Sequence, residues 1–139
     1  MNFDDCFRLI KKGDVVSLRD ALETHAIDPN LANQFSWILL MLAALEGNLI
    51  MGNLLLSRGA APDATNDFGE TALSLAEHKG HVPFVRMLLG TGASPDTHPR
   101  KCTLGNWLRA GSGLPDAKVM LIVEMVNAAK LNRETVVAR

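Results

Sequence analysis

Residues 67–96 read DFGETALSLAEHKGHVPFVRMLLGTGASPD and hold two short apolar segments separated by Gly80. A glycine after an apolar segment is a common signal for the end of a helix, because it can take the left-handed conformation that ends the helix. Gly92 gives the same signal after the second segment, and Pro95 fixes the backbone where an extended segment begins. The stretch therefore predicts two short helices followed by a turn.

The same arrangement recurs along the chain at intervals of 33 residues. Three proline-containing triplets carry this spacing: Asp28-Pro29-Asn30, Ala61-Pro62-Asp63 and Ser94-Pro95-Asp96. The same register aligns Gly47, Gly80 and Gly113. A period of about 33 residues is typical of helical pairs that bury their apolar faces only by stacking on their neighbours. We therefore predict an all-α solenoid of stacked helix–turn–helix units.

Four segments of one full repeat carry a likeness to known proteins: Asp67-Phe68-Gly69-Glu70-Thr71-Ala72-Leu73-Ser74-Leu75-Ala76, Gly80-His81, Val85-Arg86-Met87-Leu88-Leu89 and Gly92-Ala93-Ser94-Pro95-Asp96. In these segments, and in 42–48 and 54–60 of the preceding repeat, the chain resembles the ankyrin-repeat family. The resemblance implies an ankyrin-repeat solenoid with hairpin-like loops. Its atypical first and last repeats are expected to cap the stack.

This register predicts a single ankyrin-repeat domain over residues 1–139. Repeat one covers about 1–32, repeat two 33–65, repeat three 66–98 and repeat four, the C-terminal cap, 99–131; a tail covers 132–139. In repeat one, Asp4 and Asp5 are expected to start the first helix, and Gly13 is expected to end it. A second helix is expected from Val15 to His25.

Repeat four is predicted to be irregular. Leu104 to Ala110 can form a short helix, and a Gly- and Pro-containing loop then precedes a final helix capped by Asp116. That last helix is apolar on more than one face. We expect the chain to fray from Leu131 onward.

The first helices depart from the family pattern at their N-terminal turns. The family typically reads Thr-Pro-Leu-His there, with Thr and His hydrogen bonded to the loop. The three corresponding tetrapeptides are Ile38-Leu39-Leu40-Met41, Thr71-Ala72-Leu73-Ser74 and Leu104-Gly105-Asn106-Trp107. We therefore expect this polar tie to be lost or replaced by apolar packing. Gly52 and Gly105 fall inside predicted helices at a cost of about 1 kcal/mol each, so repeats two and four should be less rigid than repeat three.

Composition and charge exclude several classes of protein. The 139 residues include 14 Lys and Arg against 15 Asp and Glu, and the signs are mixed along the chain. A nucleic-acid partner is therefore not expected. The apolar runs are far shorter than the roughly 20 residues that a membrane helix needs, so no membrane partner is expected. An acidic start and only two cysteines, Cys6 and Cys102, favour the cytoplasm and free thiols.

No constellation in the sequence predicts catalysis. The four histidines are His25, His78, His81 and His98. His78 and His81 are three residues apart, but Gly80 separates them and no third ligand recurs nearby, so we predict no metal and no cofactor. The Gly-Thr-Gly and Gly-Ser-Gly segments at 90–92 and 111–113 lack the strand–loop–helix context of a phosphate cradle. We therefore predict that the chain is not an enzyme.

The resemblance implies that a partner docks on the concave side, on loop tips and first helices. The corresponding residues here are Gln34, Phe35, Trp37, Met41, Leu45, Asp67, Phe68, Glu70, His78, Arg100 and Lys101. Phe35, Trp37 and Phe68 could form an apolar stripe of the kind found at the energetic centre of an interface. The alternative is that the two phenylalanines pack between adjacent loops, with Ile38 and Met41 filling the space beneath and Trp37 covering them.

The predicted function is a non-enzymatic protein–protein interaction module that binds its partner through this concave surface as an adaptor or inhibitor. The alternative is a ligand- or metal-binding accessory domain of an enzyme system, which would need a convergent polar pocket. We expect a monomer that can self-associate weakly through the apolar last helix. The sequence does not identify the partner.

Overall fold

A computed structural model describes residues 1–96, 104–111 and 113–137. In these ranges the chain forms eight helices and no named strand. The helices are α1 (Phe3–Lys12), α2 (Val15–Glu23), α3 (Leu39–Glu46), α4 (Leu49–Ser57), α5 (Ala72–Lys79), α6 (Val82–Gly90), α7 (Leu104–Gly111) and α8 (Asp116–Val137). The prediction of an all-α fold is confirmed.

The helices pack as pairs that stack in sequence order. Within each repeat the two helices contact each other, as in α3 with α4 and α5 with α6. Between repeats the first helices contact along one row, α1 to α3 to α5 to α7. The second helices contact along another row, α2 to α4 to α6 to α8. Each pair therefore buries its apolar faces against the next pair, as the repeat period predicts.

The first helix begins two residues earlier than the sequence suggested. Asn2 is its N-cap: the Asn2 Oδ1 accepts a hydrogen bond from the Asp5 backbone N–H at 3.0 Å, and the Asp5 Oδ2 accepts one from the Asn2 N–H at 3.1 Å. This reciprocal capping box satisfies two helix-terminal donors. The expectation that Asp4 and Asp5 start the helix is therefore wrong for the cap, and both lie in the first turn. The second helix ends at Glu23, two residues before His25.

Side chains that follow the prolines of repeats one and two tie consecutive loops together. Asn30 Oδ1 accepts a hydrogen bond from the Ala61 N–H at 2.8 Å, and Asp63 Oδ1 accepts one from the Ser94 N–H at 2.7 Å. The two bonds are equivalent, because each spans 31 residues and joins one repeat to the next. They keep the loops in register along one edge of the stack.

One glycine allows two neighbouring helices to approach closely. A Cβ on Gly52 of α4 would lie 2.6 Å from Cε2 and 2.7 Å from Cζ of Phe84 on α6, whose ring is only 1% exposed. Sequence reasoning treated Gly52 and Gly105 alike, as costly helix-interior glycines. That interpretation is wrong for Gly52, because the close packing of α4 on α6 requires it. Around Gly105 the nearest atoms to such a Cβ lie at 3.5 and 3.6 Å, which leaves room for a methyl group.

The last helix is longer than predicted. It runs from Asp116 to Val137 without interruption, so residues 132–137 are helical and the expectation of fraying from Leu131 is wrong for this segment. Val119, Ile122 and Val126 of α8 are fully buried and pack with Leu104 and Leu108 of α7. The end of the solenoid therefore has a small apolar core of its own, beside the larger core shared by repeats one to three.

Candidate protein-interaction surface

The loops that enter α3 and α5 form two hairpins of the same construction. In repeat two, Asn33 Oδ1 accepts hydrogen bonds from the N–H groups of Phe35 and Trp37 at 2.9 and 3.0 Å. In repeat three, Asn66 Oδ1 accepts the equivalent pair from Phe68 and Glu70 at 2.9 and 3.0 Å. One asparagine side chain thus holds each turn closed, as Asx turns do.

The two hairpins are also bonded to each other. The Asp67 N–H donates to the Phe35 carbonyl oxygen at 3.0 Å, and the Ser36 hydroxyl donates to Asp67 Oδ1 at 2.8 Å. Ser36 has a left-handed φ of 64°, and Gly69 takes the equivalent place with a φ of 74°. The tips of repeats two and three therefore form one continuous hydrogen-bonded edge.

Two phenyl rings project from this edge. Phe35 is 48% exposed and Phe68 is 69% exposed. Their ring centroids lie 6.4 Å apart with a tilt of 39°. This distance is within the range of favourable aromatic pairs. We call these two residues the phenyl pair. It combines both readings of the sequence, since the rings contact each other between adjacent loops and still present large apolar areas to solvent.

The other apolar residues predicted for the stripe are packed inward. Met41 is fully buried, so its prediction as a surface residue is wrong: it fills the core of α3. Trp37 and Leu45 are half-buried and pack against the core cluster. Ile38, at the N-cap of α3, is 6% exposed and makes no side-chain cap hydrogen bond. Apolar packing has replaced the polar tie in repeat two, as expected.

Repeat three keeps a polar tie that sequence reasoning missed. The Thr71 hydroxyl accepts a hydrogen bond from the Ser74 N–H at 3.1 Å, and Ser74 Oγ accepts one from the Thr71 N–H at 2.9 Å. The serine thereby closes a capping box at the start of α5. The available signal was the spacing of Thr71 and Ser74, three residues apart at the start of an apolar segment.

His78 lies at the C-terminal end of α5 against a tryptophan from the next repeat. Its ring meets the Trp107 ring edge-on, with centroids 4.0 Å apart and an interplanar angle of 81°. Burial lowers the pKa of His78, and the negative charge of Glu70 partly opposes that shift. Trp107 was not among the predicted surface residues. Its place in the repeat register, 33 residues after Ser74, gave no indication of a contact with His78.

His81 has a structural position between repeats. Its Nε2 lies 2.9 Å from the Leu45 carbonyl oxygen at the end of α3, and the carbonyl can only accept, so the nitrogen donates. The ring also covers Gly47, where an added Cβ would lie 2.5 Å from the His81 Nδ1. His81 therefore binds a helix-terminal carbonyl. Within the described ranges, no group of three His, Cys, Asp or Glu side chains is arranged to hold a metal ion.

The polar residues predicted for the surface surround the phenyl pair. Gln34 and Asp67 are exposed, and Glu70 is half-buried with its Oε1 accepting from Asn66 Nδ2 at 3.1 Å. Arg100 and Lys101 lie outside the described residues. The predicted positive end of the surface therefore stays a prediction.

The hairpins, the paired helices and their stacking in register are matched by a family model. The model, described as ankyrin repeats in three copies, matches residues 4–99, which is more than half of the chain. The chain belongs to the ankyrin-repeat family. Among curated proteins, none matches it. Ankyrin repeats generally mediate protein–protein interaction. No described helix of this ankyrin-repeat protein is both long and apolar enough to cross a membrane.

Proposed function

We propose that this chain is a non-enzymatic module that binds another protein through its concave loop and first-helix surface, as an adaptor or inhibitor. The observation that carries the proposal is the phenyl pair, which presents two large apolar rings at adjacent hairpin tips. Aromatic side chains are enriched in interface cores, where their burial supplies much of the binding energy. A cytoplasmic location is part of the proposal, and the buried free thiol of Cys6 supports it.

The rigidity of the hairpin edge supports this role. The hydrogen bonds from Asn33, Asn66 and Ser36 hold both tips before any partner arrives. Binding to a preorganised surface avoids part of the entropy cost of ordering loops. Asp67 and Glu70 beside the rings add negative charge, which favours a partner segment that carries basic residues next to its apolar anchor.

The interface that we propose differs from the predicted set. It is centred on the phenyl pair with Gln34, Asp67 and Glu70 around it, and it extends along the first helices toward His78. Trp37 and Leu45 support the hairpins from beneath and contribute their exposed edges. Met41 is excluded because it has no exposed surface.

The test is affinity capture followed by mass spectrometry, with three forms of the full chain. These are the native chain, Phe35→Ala/Phe68→Ala and the control Val16→Ala/Ile50→Ala, which removes apolar side chains of similar exposure, 65% and 63%, from the second helices. A protein bound by the native chain and the control should be lost with the phenyl-pair variant. Titration of that protein should show roughly a 30-fold weaker Kd, the loss of about 2 kcal/mol expected at a hot spot.

Equal capture by all three forms, with unchanged thermal midpoints, would contradict the proposal. It would assign the phenyl pair to loop packing alone. A loss that is as large with the Val16 and Ile50 variant would move the interface to the opposite side of the solenoid.

A further inference from the structure

The two ends of the solenoid differ in the character of their outer surfaces. At the N-terminal end, α1 and α2 present mainly charged residues: Asp4, Arg8, Lys11, Lys12, Arg19, Asp20 and Glu23. At the C-terminal end, α8 exposes Met120 at 56%, Leu121 at 40% and Leu131 at 62%. Terminal repeats of solenoids normally turn a polar face outward, which keeps them soluble. The first end follows this rule and the last end does not.

The exposed residues of α8 have the spacing of a coiled-coil seam. Steps of four and three residues connect the exposed positions Ala117, Leu121, Glu124, Ala128 and Leu131. The buried positions of the same helix, including Val119, Ile122 and Val126, face α6 and α7 on the opposite side. Alternating steps of four and three place side chains on one stripe that can pack along a second helix. We call this stripe, together with the flanking Met120, the α8 seam.

We propose that the α8 seam binds the α8 seam of a second copy of this chain, with the two helices antiparallel about a two-fold axis. This interface is separate from the concave surface of the proposed function, so either proposal can fail without the other. A self-complementary surface of this kind gives a closed dimer. The dimer leaves the phenyl pairs of both copies, on the hairpin edge, outside the interface.

The charge of Glu124 selects the antiparallel arrangement. In a parallel pair, Glu124 would face the same residue of the second copy, and two like charges at a seam are destabilising. In the antiparallel pair that places Leu121 opposite Leu131, Glu124 faces Ala128. The flanking positions then bring Met125 near Met125 and Asn127 near Asn127. Among the described side chains of the seam, no like charges lie opposite each other in this register.

Analytical ultracentrifugation of the full chain over a range of concentrations tests the dimer. The native chain should show a concentration-dependent equilibrium between monomer and dimer. Met120→Glu/Leu121→Glu should remain monomeric at every concentration, because it places two charges in the seam. The matched control Val16→Glu/Ile50→Glu carries the same substitutions at residues of similar exposure on α2 and α4, and it should dimerise like the native chain.

A gain-of-function variant keeps the test independent of any loss of folding. Glu124→Leu should tighten the dimer by about 10-fold or more, because it replaces a charge facing Ala128 with a buried apolar side chain in both copies. A native chain that is monomeric at all concentrations would overturn the proposal. Unchanged dimerisation by Met120→Glu/Leu121→Glu, or weakened dimerisation by Glu124→Leu, would overturn it as well.

Cross-linking with a short bis-maleimide tests the direction of the helices in a Cys102→Ser background, where the remaining Cys6 is fully buried. Asn127→Cys lies near the proposed axis and should give a covalent dimer. Leu121→Cys should not, because its two copies would be offset by about 15 Å along the helices at 1.5 Å per residue. Efficient cross-linking through Leu121→Cys alone would overturn the antiparallel register.

Discussion

In repeat three, the hydroxyls of Thr71 and Ser74 close a capping box at the start of α5, whereas the same positions in repeat two carry Ile38 and Met41. The two apolar side chains are 6% and 0% exposed. A side-chain cap contributes about 1 kcal/mol, and burying an apolar side chain of this size contributes about 1.5–3 kcal/mol. An inner repeat can therefore give up its cap when neighbours on both sides bury the replacement.

The largest effect should come from the core side chain of repeat two. Met41→Ala should lower the free energy of unfolding by about 2–5 kcal/mol, because it leaves a cavity in a fully buried site. Its counterpart in repeat three, Ser74→Ala, should lower that free energy by only about 1 kcal/mol through the lost hydrogen bonds. Urea denaturation of both variants checks the difference. Equal losses would show that the two sites are not packed as differently as their exposure indicates.

The second prediction compares glycines that sequence reasoning treated alike. Gly52→Ala should lower the free energy of unfolding by about 1–3 kcal/mol, because the new methyl group overlaps the buried Phe84 ring. Gly105→Ala meets ordinary contact distances and should be neutral or stabilising by up to about 1 kcal/mol. The measurement is again the denaturation midpoint, and a stabilising Gly52→Ala would contradict the close packing of α4 on α6.

The polar cap of repeat three should have a smaller effect. Thr71→Ala should lower the free energy of unfolding by about 1 kcal/mol, since it removes the hydroxyl that accepts from the Ser74 N–H. Thr71→Ser keeps that acceptor and should restore most of the loss. A variant series in which alanine and serine behave identically would show that the capping box contributes nothing measurable to stability.

The smallest effect separates His78 in repeat three from Leu45 at the same position in repeat two. Burial lowers the pKa of His78 in the folded chain below its ordinary value of 6.5. Between the lowered and the ordinary pKa the unfolded chain binds more protons, so stability falls as the pH drops below about 6.5. His78→Leu should lose part of this dependence when thermal midpoints are compared between neutral and acidic pH. An unchanged profile would contradict a contribution from His78.

Much of the fold follows from spacing in the sequence. The 33-residue interval of Pro29, Pro62 and Pro95 predicts the stacked pairs, because side chains at equal intervals must meet equivalent neighbours in a solenoid. The asparagines that close the hairpins share the same interval, although sequence reasoning did not recognise their role. Spacing fixes which elements repeat, and it leaves open which atoms bond.

The surface was harder to predict than the fold. Phe35 and Phe68 were correctly placed at the tips, but Met41 was wrongly assigned to the same surface. An apolar residue near a helix start can point inward or outward, and which occurs depends on packing with the neighbouring repeats. The close approach at Gly52 also depends on Phe84 of the next repeat. Pairwise contacts of this kind cannot be derived from the properties of single residues.

The central claim is that apolar packing has replaced the polar cap in repeat two, and a graft from repeat three tests it most directly. Ile38→Thr/Met41→Ser installs the Thr71 and Ser74 pair at the equivalent positions. Equilibrium urea denaturation should show a loss of several kcal/mol, because a cap worth about 1 kcal/mol cannot offset two lost apolar side chains. Stability equal to or greater than that of the native chain would contradict the account.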